Sequence, residues 1–527
     1  MKKKIGILIG LILVFSMVVA LTPTVAKVEK VQMTDFEIVM PWGTDHERGK
    51  IIRSMISNSS IAADYNFIYT AVGGGPSDRD ALKARFMAGD YPNLIIATLD
   101  WYTEFATYED FWVDFNTTID AWTGPTKGGW QADIPDGWWS ILDKQYGNGS
   151  GDGIYALPFF GQSILPYINT DHFEDVGLNW TTDLDTIDEW VTACETLAAG
   201  GYTPFAMVGK LQSDLAYMNY MLASTDNLIN SSADPATVFS WGASDEYGLN
   251  GSMSVDGFTT YLKMKGEGWV PTTVETDGGG EANSIFGAGN ASIVFCGPWG
   301  TSTFEGKGLE NFTAVHMPAT SDGERSTIIG GGMSMIPKYG NNVTETAAAI
   351  LLADWLLDDV NQMKTVDNWL NTAWRIPVRR SVTDNVWFTA FPNRTNFLTH
   401  VDSQNYTYAW GRQHPKWMDV HESIVMPGYL EALQSVTRGV DLTDTEYEAI
   451  AQLALDKMAA KIQCYYLGGP CVVIPEYTTI EVPTEVPTIV TSIVTSLVTS
   501  IVQASGFSAL VLLVGIVPFL YLRRKKK

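Results

Sequence analysis

Residues Gly153–Asn169, GIYALPFFGQSILPYIN, constrain the fold more than any other stretch. Ile154–Phe160 is a mostly apolar run and reads as a buried strand. Gly161-Gln162-Ser163 reads as a turn, and Ile164–Ile168 as a second strand. Pro158 and Pro166 cannot donate ladder hydrogen bonds, so neither run is a long central strand. The pattern describes a strand that leaves one sheet, bends and enters another. A chain that crosses between two lobes creates a cleft, and such clefts bind small ligands.

The N-terminal segments indicate what the first lobe is made of. Phe36–Met40 is a short apolar strand, followed by a turn, Pro41–Glu47, and a helix near Gly49–Asn58. Asn66–Val72 is a second strand. Gly73-Gly74-Gly75-Pro76 then leads into a helix at Arg79–Ala88, with Ser77 or Asp78 as its cap. Gly89-Asp90-Tyr91-Pro92 stops that helix, and Asn93–Thr98 is a third strand. Strands alternating with helices make a parallel α/β sheet, whose ligands sit beyond the carboxyl ends of the strands. Three segments occupy that position: Trp42–Glu47, Gly73–Ser77 and Asp100-Trp101.

Length and charge limit the partners. A chain of 527 residues exceeds one core and suits two lobes. Of its 34 Lys and Arg, three lie at 2–4 and five at 523–527. The remaining 26 face 59 Asp and Glu, a net of −33 for the middle of the chain. That field repels nucleic acid and anionic lipid. The chain has 18 Trp, which serve either as stacking surfaces for sugars or as large core residues.

Several motifs carry a family resemblance. Gly153-Ile154-Tyr155-Ala156-Leu157-Pro158, with Tyr167, Asn169, Asp171, Phe173 and Gly177-Leu178, resembles extracellular solute-binding proteins that feed sugar ABC transporters. GGGPSDRDALKARFMAGDYPN at 73–93 is similar to the glucose-type branch. Thr186, Glu189, Leu197, Gly201, Thr203 and Pro204 keep most of a further family pattern. Phe286–Ala291, Ser292–Cys296 and Gly297-Pro298-Trp299 match its most specific marker. The resemblance covers roughly 35–465. It implies a two-lobed, type II periplasmic-binding-protein-like α/β fold, with an interlobe cleft and a hinge of three crossings near 158–164, 318–328 and 372–377. Lobe 1 is then 34–158 plus 328–372, and lobe 2 is 164–318 plus 377–465.

A pyranose offers apolar C–H faces and a rim of hydroxyls, so its site needs aromatic platforms and planar hydrogen-bonding groups. In maltose-type relatives the Trp of Gly-Pro-Trp stacks on the sugar, and Trp299 matches it; core packing is the alternative. Trp42 is a second candidate platform. Asp45 and Glu47 are hydroxyl acceptors or caps of the following helix. Asp100, Trp101 and Gln162 complete the first-lobe candidates. Trp374 and Arg375 precede the third crossing, where Arg375 could instead form an interlobe ion pair. Gly331 and Gly332 would let backbone approach a ligand closely. The chain departs from the glucose-type branch at Gly43, where a second Trp is common, and at Gly332, near which an Asp falls.

The resemblance implies no catalysis, cofactor or metal, and a separate membrane permease as partner. A surface sensor or adhesin on the same scaffold is a second reading, and a glycoside hydrolase a third. The sequence contains no motif placing an acid pair, no G-x-S-x-G, no H-E-x-x-H and no phosphate loop. His414 and His421 near Glu422 read as surface or core residues rather than metal ligands.

Both ends suggest membrane contact outside the cell. Met1–Ala26 has a basic start, an apolar stretch and a small-residue cleavage site, and reads as a signal peptide. Pro475–Gln503, rich in Thr, Ser and Pro, reads as a stalk. Ala504–Leu522 is long enough to span a bilayer, and the basic tail Arg523–Lys527 stops it on the cytoplasmic side. Such a tether suits a one-membrane cell, and by resemblance an archaeal surface. Eleven N-x-S/T sequons fit a glycosylated exterior. Cys464 and Cys471 flank a tight turn and are the expected disulfide. Cys194 and Cys296 pair or remain buried thiols.

Overall fold

The computed structural model describes residues 33–73, 76–98, 101–102, 105, 111–115, 133–135, 138, 142–145, 152–209, 252–319, 325, 327–366, 375–384, 394–404, 407–409, 421–440 and 442–467. It begins with β1 (Thr34–Met40), α1 (Glu47–Ser57), β2 (Tyr65–Ala71), α2 (Pro76–Met87) and β3 (Leu94–Thr98). β1 pairs in parallel with both β2 and β3, as the alternating pattern predicts. Leu94–Ala97 are buried throughout, as befits a strand covered on both faces. α2 starts at Pro76, so Ser77 and Asp78 fall inside its first turn rather than capping it.

A small hairpin, β4 (Asp143–Gln145) with β5 (Asp152–Ile154), precedes β6 (Leu157–Ser163). β6 enters the first sheet, and after Ile164 alone β7 (Leu165–Asn169) enters the second. The expected turn at Gly161–Ser163 is therefore strand, and the joint is one residue long. Backbone pairing explains this. Gly161 sits opposite Gly331 in the ladder and bridges Ile376 on its other side. Pro158 pairs with Met333 at a bulge, where the register shifts between Gly332 and Met333, a place in a sheet where proline is tolerated.

The second sheet follows. α3 (Thr170–Asp175) is capped by Asn169, and α4 (Ile187–Ala199) opens with a reciprocal Thr186–Glu189 capping box. Within GYTPFAMVG, at 201–209, the strand is only β8 (Phe205–Ala206). α5 (Ser252–Gly266), α6 (Gly279–Gly287), β9 (Ile293–Cys296), α7 (Gly300–Lys307) and β10 (Phe312–Ala314) complete it, with strand order β10-β7-β9-β8.

The chain then returns as β11 (Thr327–Met335), which pairs with β3 and β6, and continues through α8 (Val343–Leu356), α9 (Asp359–Val366), α10 (Arg380–Thr383) and α11 (Arg394–Ser403). β12 (Thr407–Ala409) pairs with the start of β11 in the first sheet. Expecting all of 377–465 in the second lobe is thus corrected: the edge that β11 exposes near Thr327 is filled by this later strand. A π-helical turn (His421–Val425) leads into α12 (Met426–Ser435) and α13 (Asp444–Leu467).

Two main cores result. Phe36, Ile38, Leu94–Ala97, Phe159, Met333 and Leu352 belong to the first. Ile168, Trp190, Phe258, Ile293, Tyr429, Tyr447 and Leu455 belong to the second, so α12 and α13 back the second sheet. At about 1.5–3 kcal/mol per large apolar side chain, each core is sizeable. Besides a cluster around Tyr167, Phe286 and Phe304, a small one of Ile164, Leu165 and Met317 sits at the joint, with Phe295 and Trp299 packed against it.

The three crossings touch one another. Gly161 N–H donates to Ile376 O at 2.6 Å and Ile376 N–H to Gly161 O at 2.9 Å. Thr327 Oγ1 donates to Ile164 O. A buried polar knot from α11 clamps the joint: His400 Nδ1 meets Ser163 Oγ at 2.8 Å, His400 Nε2 meets Tyr167 OH at 2.8 Å, and Ser403 Oγ donates to Ser163 Oγ at 2.8 Å. Ser163 and Tyr167 flank the one-residue crossing, so His400 ties both sheets together.

Cys194 and Cys296 are buried and not joined in a disulfide, and burial raises the Cys194 thiol beyond the ordinary range. Cys464 is disulfide-bonded; its expected partner Cys471 lies outside the described residues. Among the described residues no helix is long and apolar enough to cross a membrane, and 1–26 and 475–527 lie outside them.

Candidate functional site

Three segments meet between the two sheets: the residues after β1, the residues after β9, and the third crossing. Trp42 follows β1. It is 9% exposed, joins the first core and leans on Phe160 of β6 at 6.1 Å between ring centres. Trp299 follows β9 at the N-cap position of α7 and is half-buried. The Gly-Pro-Trp spacing has a physical cause: a Cβ on Gly297 would collide with the Trp299 ring, so only glycine lets the indole fold down there.

Two arginines connect these rings. The Arg48 guanidinium, from the first turn of α1, lies 5.3 Å from the Trp42 ring centre and 6.0 Å from that of Trp299. Arg375 lies 4.8 Å from the Trp299 ring centre and 5.8 Å from that of Phe160. Each guanidinium thus spans a first-lobe and a second-lobe ring through cation–π contact. The interlobe role considered for Arg375 takes this form. Burial pushes the Arg375 pKa well down, and the Arg48 charge pushes the same way. A second interlobe contact pairs Arg79 of α2 with Glu422 of the π-helical turn at 3.4 Å.

His46 caps α1 from the turn that precedes it, and its Nδ1 accepts from Arg48 N–H at 3.2 Å. Burial lowers its pKa first, followed by the charges of Arg48, Arg375 and Lys50. Asp45 is exposed on the same turn, and the side chain of Glu47 lies outside the described residues.

The structure reassigns three sequence candidates. Trp101 is fully buried in the first core, 5.9 Å from Phe105 between ring centres, so it packs rather than stacks on a ligand. Gly331 and Gly332 make their close approaches within the protein. A Cβ at Gly331 would meet the Phe160 carbonyl and the buried Trp138 ring, and one at Gly332 would meet the Phe160 ring. Gly331, at φ 158°, therefore serves the β6–β11 ladder. Gln162 is half-buried at the crossing, its side chain over Gly330. Asp100 and Trp374 lie outside the described residues.

Sequence reasoning missed Arg48, His46, Phe160 and His400. Arg48 carries a readable signal, as a cation in the first turn of a helix that starts beyond a strand's carboxyl end. His400 carries none, because its role depends on α11 reaching the crossing from more than 200 residues away.

Known proteins agree with this architecture. The family described as bacterial extracellular solute-binding protein matches residues 63–363. This chain belongs to that family. No curated protein matches it. Among solved structures, maltose-bound MalE3 of T. maritima is 16% identical, with 80% of this chain and 99% of that chain covered and a TM-score of 0.60. The sugar-binding protein MalE from the phytopathogen Xanthomonas citri is 15% identical over 83% and 100% of the two chains, with a TM-score of 0.62. UgpB from Mycobacterium tuberculosis, in complex with glycerophosphocholine, is 15% identical over 82% and 99%, with a TM-score of 0.59. At these identities the likeness is one of fold. The solute-binding protein is accordingly a two-lobed α/β molecule of the type II class, with one of its two larger sheets in each lobe.

Proposed function

We propose that this solute-binding protein captures a carbohydrate between its lobes and hands it to the permease of an ABC importer. The carrying observation is that Trp42 and Trp299, from different lobes, share the Arg48 guanidinium, while Arg375 at the third crossing also faces Trp299. Flat rings and planar donors are what a pyranose requires. The family match and the sugars named for structures of the same fold support this reading. Capture and release involve no bond cleavage in this proposal, so the chain acts as a binder rather than an enzyme.

The proposal extends to location. Met1–Ala26 directs export, 475–503 forms a stalk, Ala504–Leu522 anchors it, and the binder works on the outer surface beside its permease. Asn58, Asn179, Asn290, Asn311 and Asn342 are exposed sequon asparagines available to glycans. Lobe closure about the three interlocked crossings presents both lobes to the permease.

A thermal-shift screen of mono- and oligosaccharides on the purified chain tests the reading. A cognate sugar at one hundred times its Kd should stabilise the protein by about 2.7 kcal/mol. Labelled oligosaccharides recovered intact from the complex support capture, and release of shorter products overturns it.

A further inference from the structure

The cleft is basic in a chain that is strongly acidic. Arg48 and Arg375 both lie within reach of the Trp299 ring, at 6.0 and 4.8 Å. His46 and Lys50 share the turn and first helical residues with Arg48, and the charges of Arg48, Arg375 and Lys50 all act on His46 in the same sense. The net charge of the whole chain is −25. Local reversal of sign at the opening focuses the field on an incoming anion. The same segment also carries two acidic residues, Asp45 and Glu47, against Arg48, Lys50 and the third-crossing Arg375.

We infer that the solute is a carbohydrate bearing an oxyanion, a carboxylate or a phosphate, held by the Arg48 and Arg375 forks while its ring lies against Trp299. This rests on the carbohydrate reading above. Guanidinium groups match planar and tetrahedral oxyanions with two parallel hydrogen bonds, a geometry that lysine lacks. The two arginines arrive from different elements, one from the first lobe and one from the third crossing. An anion between them therefore draws like charges together and joins lobe 1 to the hinge. A plain cation–π clasp would hold the lobes as well, but would not discriminate between ligands by charge.

Calorimetric titration of the full-length protein with matched pairs tests the inference: galacturonic acid against galactose, and glucose 6-phosphate against glucose, with inorganic phosphate alone as a further probe. One acidic sugar should bind at least about tenfold more tightly than its neutral counterpart, and the ratio should shrink as salt is raised. Its identity distinguishes carboxylate from phosphate recognition. Arg48→Gln and Arg375→Gln should each bring the acidic and neutral ligands to within about twofold. Arg48 is less buried, so its variant retains the test if Arg375→Gln does not fold, and the wild-type ratio needs neither. Neutral sugars binding as well as acidic ones would overturn the inference and leave carbohydrate capture standing. Inorganic phosphate binding with no sugar of either kind would uphold the oxyanion site and overturn the carbohydrate reading. Heat from none of these ligands would overturn both.

Discussion

Trp299→Ala is expected to weaken carbohydrate binding by about 1–3 kcal/mol, roughly 5- to 150-fold in Kd. The indole is half-buried, seated over Gly297 and faced by Arg375 at 4.8 Å. Truncation removes an apolar face for sugar C–H groups and leaves Arg375 without its second-lobe ring. Trp299→Phe keeps a ring on the same seat and should retain most of the affinity. Trp42 is less exposed and packed on Phe160, so the larger loss is assigned to Trp299. Calorimetry on a variant with an unchanged circular dichroism spectrum checks this. Undiminished affinity in the alanine variant would remove Trp299 from the site.

Folding stability should fall as the medium is acidified, and His400 should account for a defined share of the fall. Burial holds the His400 pKa down to about 3, against 6.5 when exposed. A base whose pKa is lowered by folding binds more protons when unfolded throughout the interval between the two values. Stability is therefore complete above pH 6.5 and is lost as pH falls toward 3. At pH 5 the loss from this group is about 2 kcal/mol. His400→Leu removes the titration but deprives Ser163 and Tyr167 of a partner, which costs about 2–4 kcal/mol at neutral pH. Urea denaturation at pH 8 and pH 5 should show a wild-type loss exceeding that of the variant by about 2 kcal/mol. Equal losses in both would sink the account of His400 as a buried neutral clamp. An acidic surface environment would be costly to this hinge, even though the abundant carboxylates suit one.

Local patterning made the alternating elements legible. The first three strands follow their apolar runs and the Gly and Pro stops, and α4 and α8 start at readable capping boxes, Thr186–Glu189 and Asn342–Glu345. The crossing at 164 was visible because two apolar runs lie too close together for a helix and carry prolines. Its length was not visible, because the pairing of Gly161 with Ile376 is not local. The same limit applied to the glycines. Gly331 and Gly332 invite the reading of close ligand approach, yet what each meets is an aromatic ring or carbonyl supplied by the tertiary fold. Trp101 and Trp299 look alike as residues following strands. Their difference, fully buried against half-buried beside the crossing, comes from neighbours such as Phe105 and Arg375.

The order in which the strands come off the ribosome differs from their order in space. β11, whose final residues lie beside β3 and β6, is synthesised only after all four strands of the second sheet exist. Until residue 335 emerges, the nascent first lobe presents bare edges at β3 and β6, at a moment when its neighbour already has every strand it needs. Truncation anywhere before β11 therefore leaves an edge ready to pair with another copy.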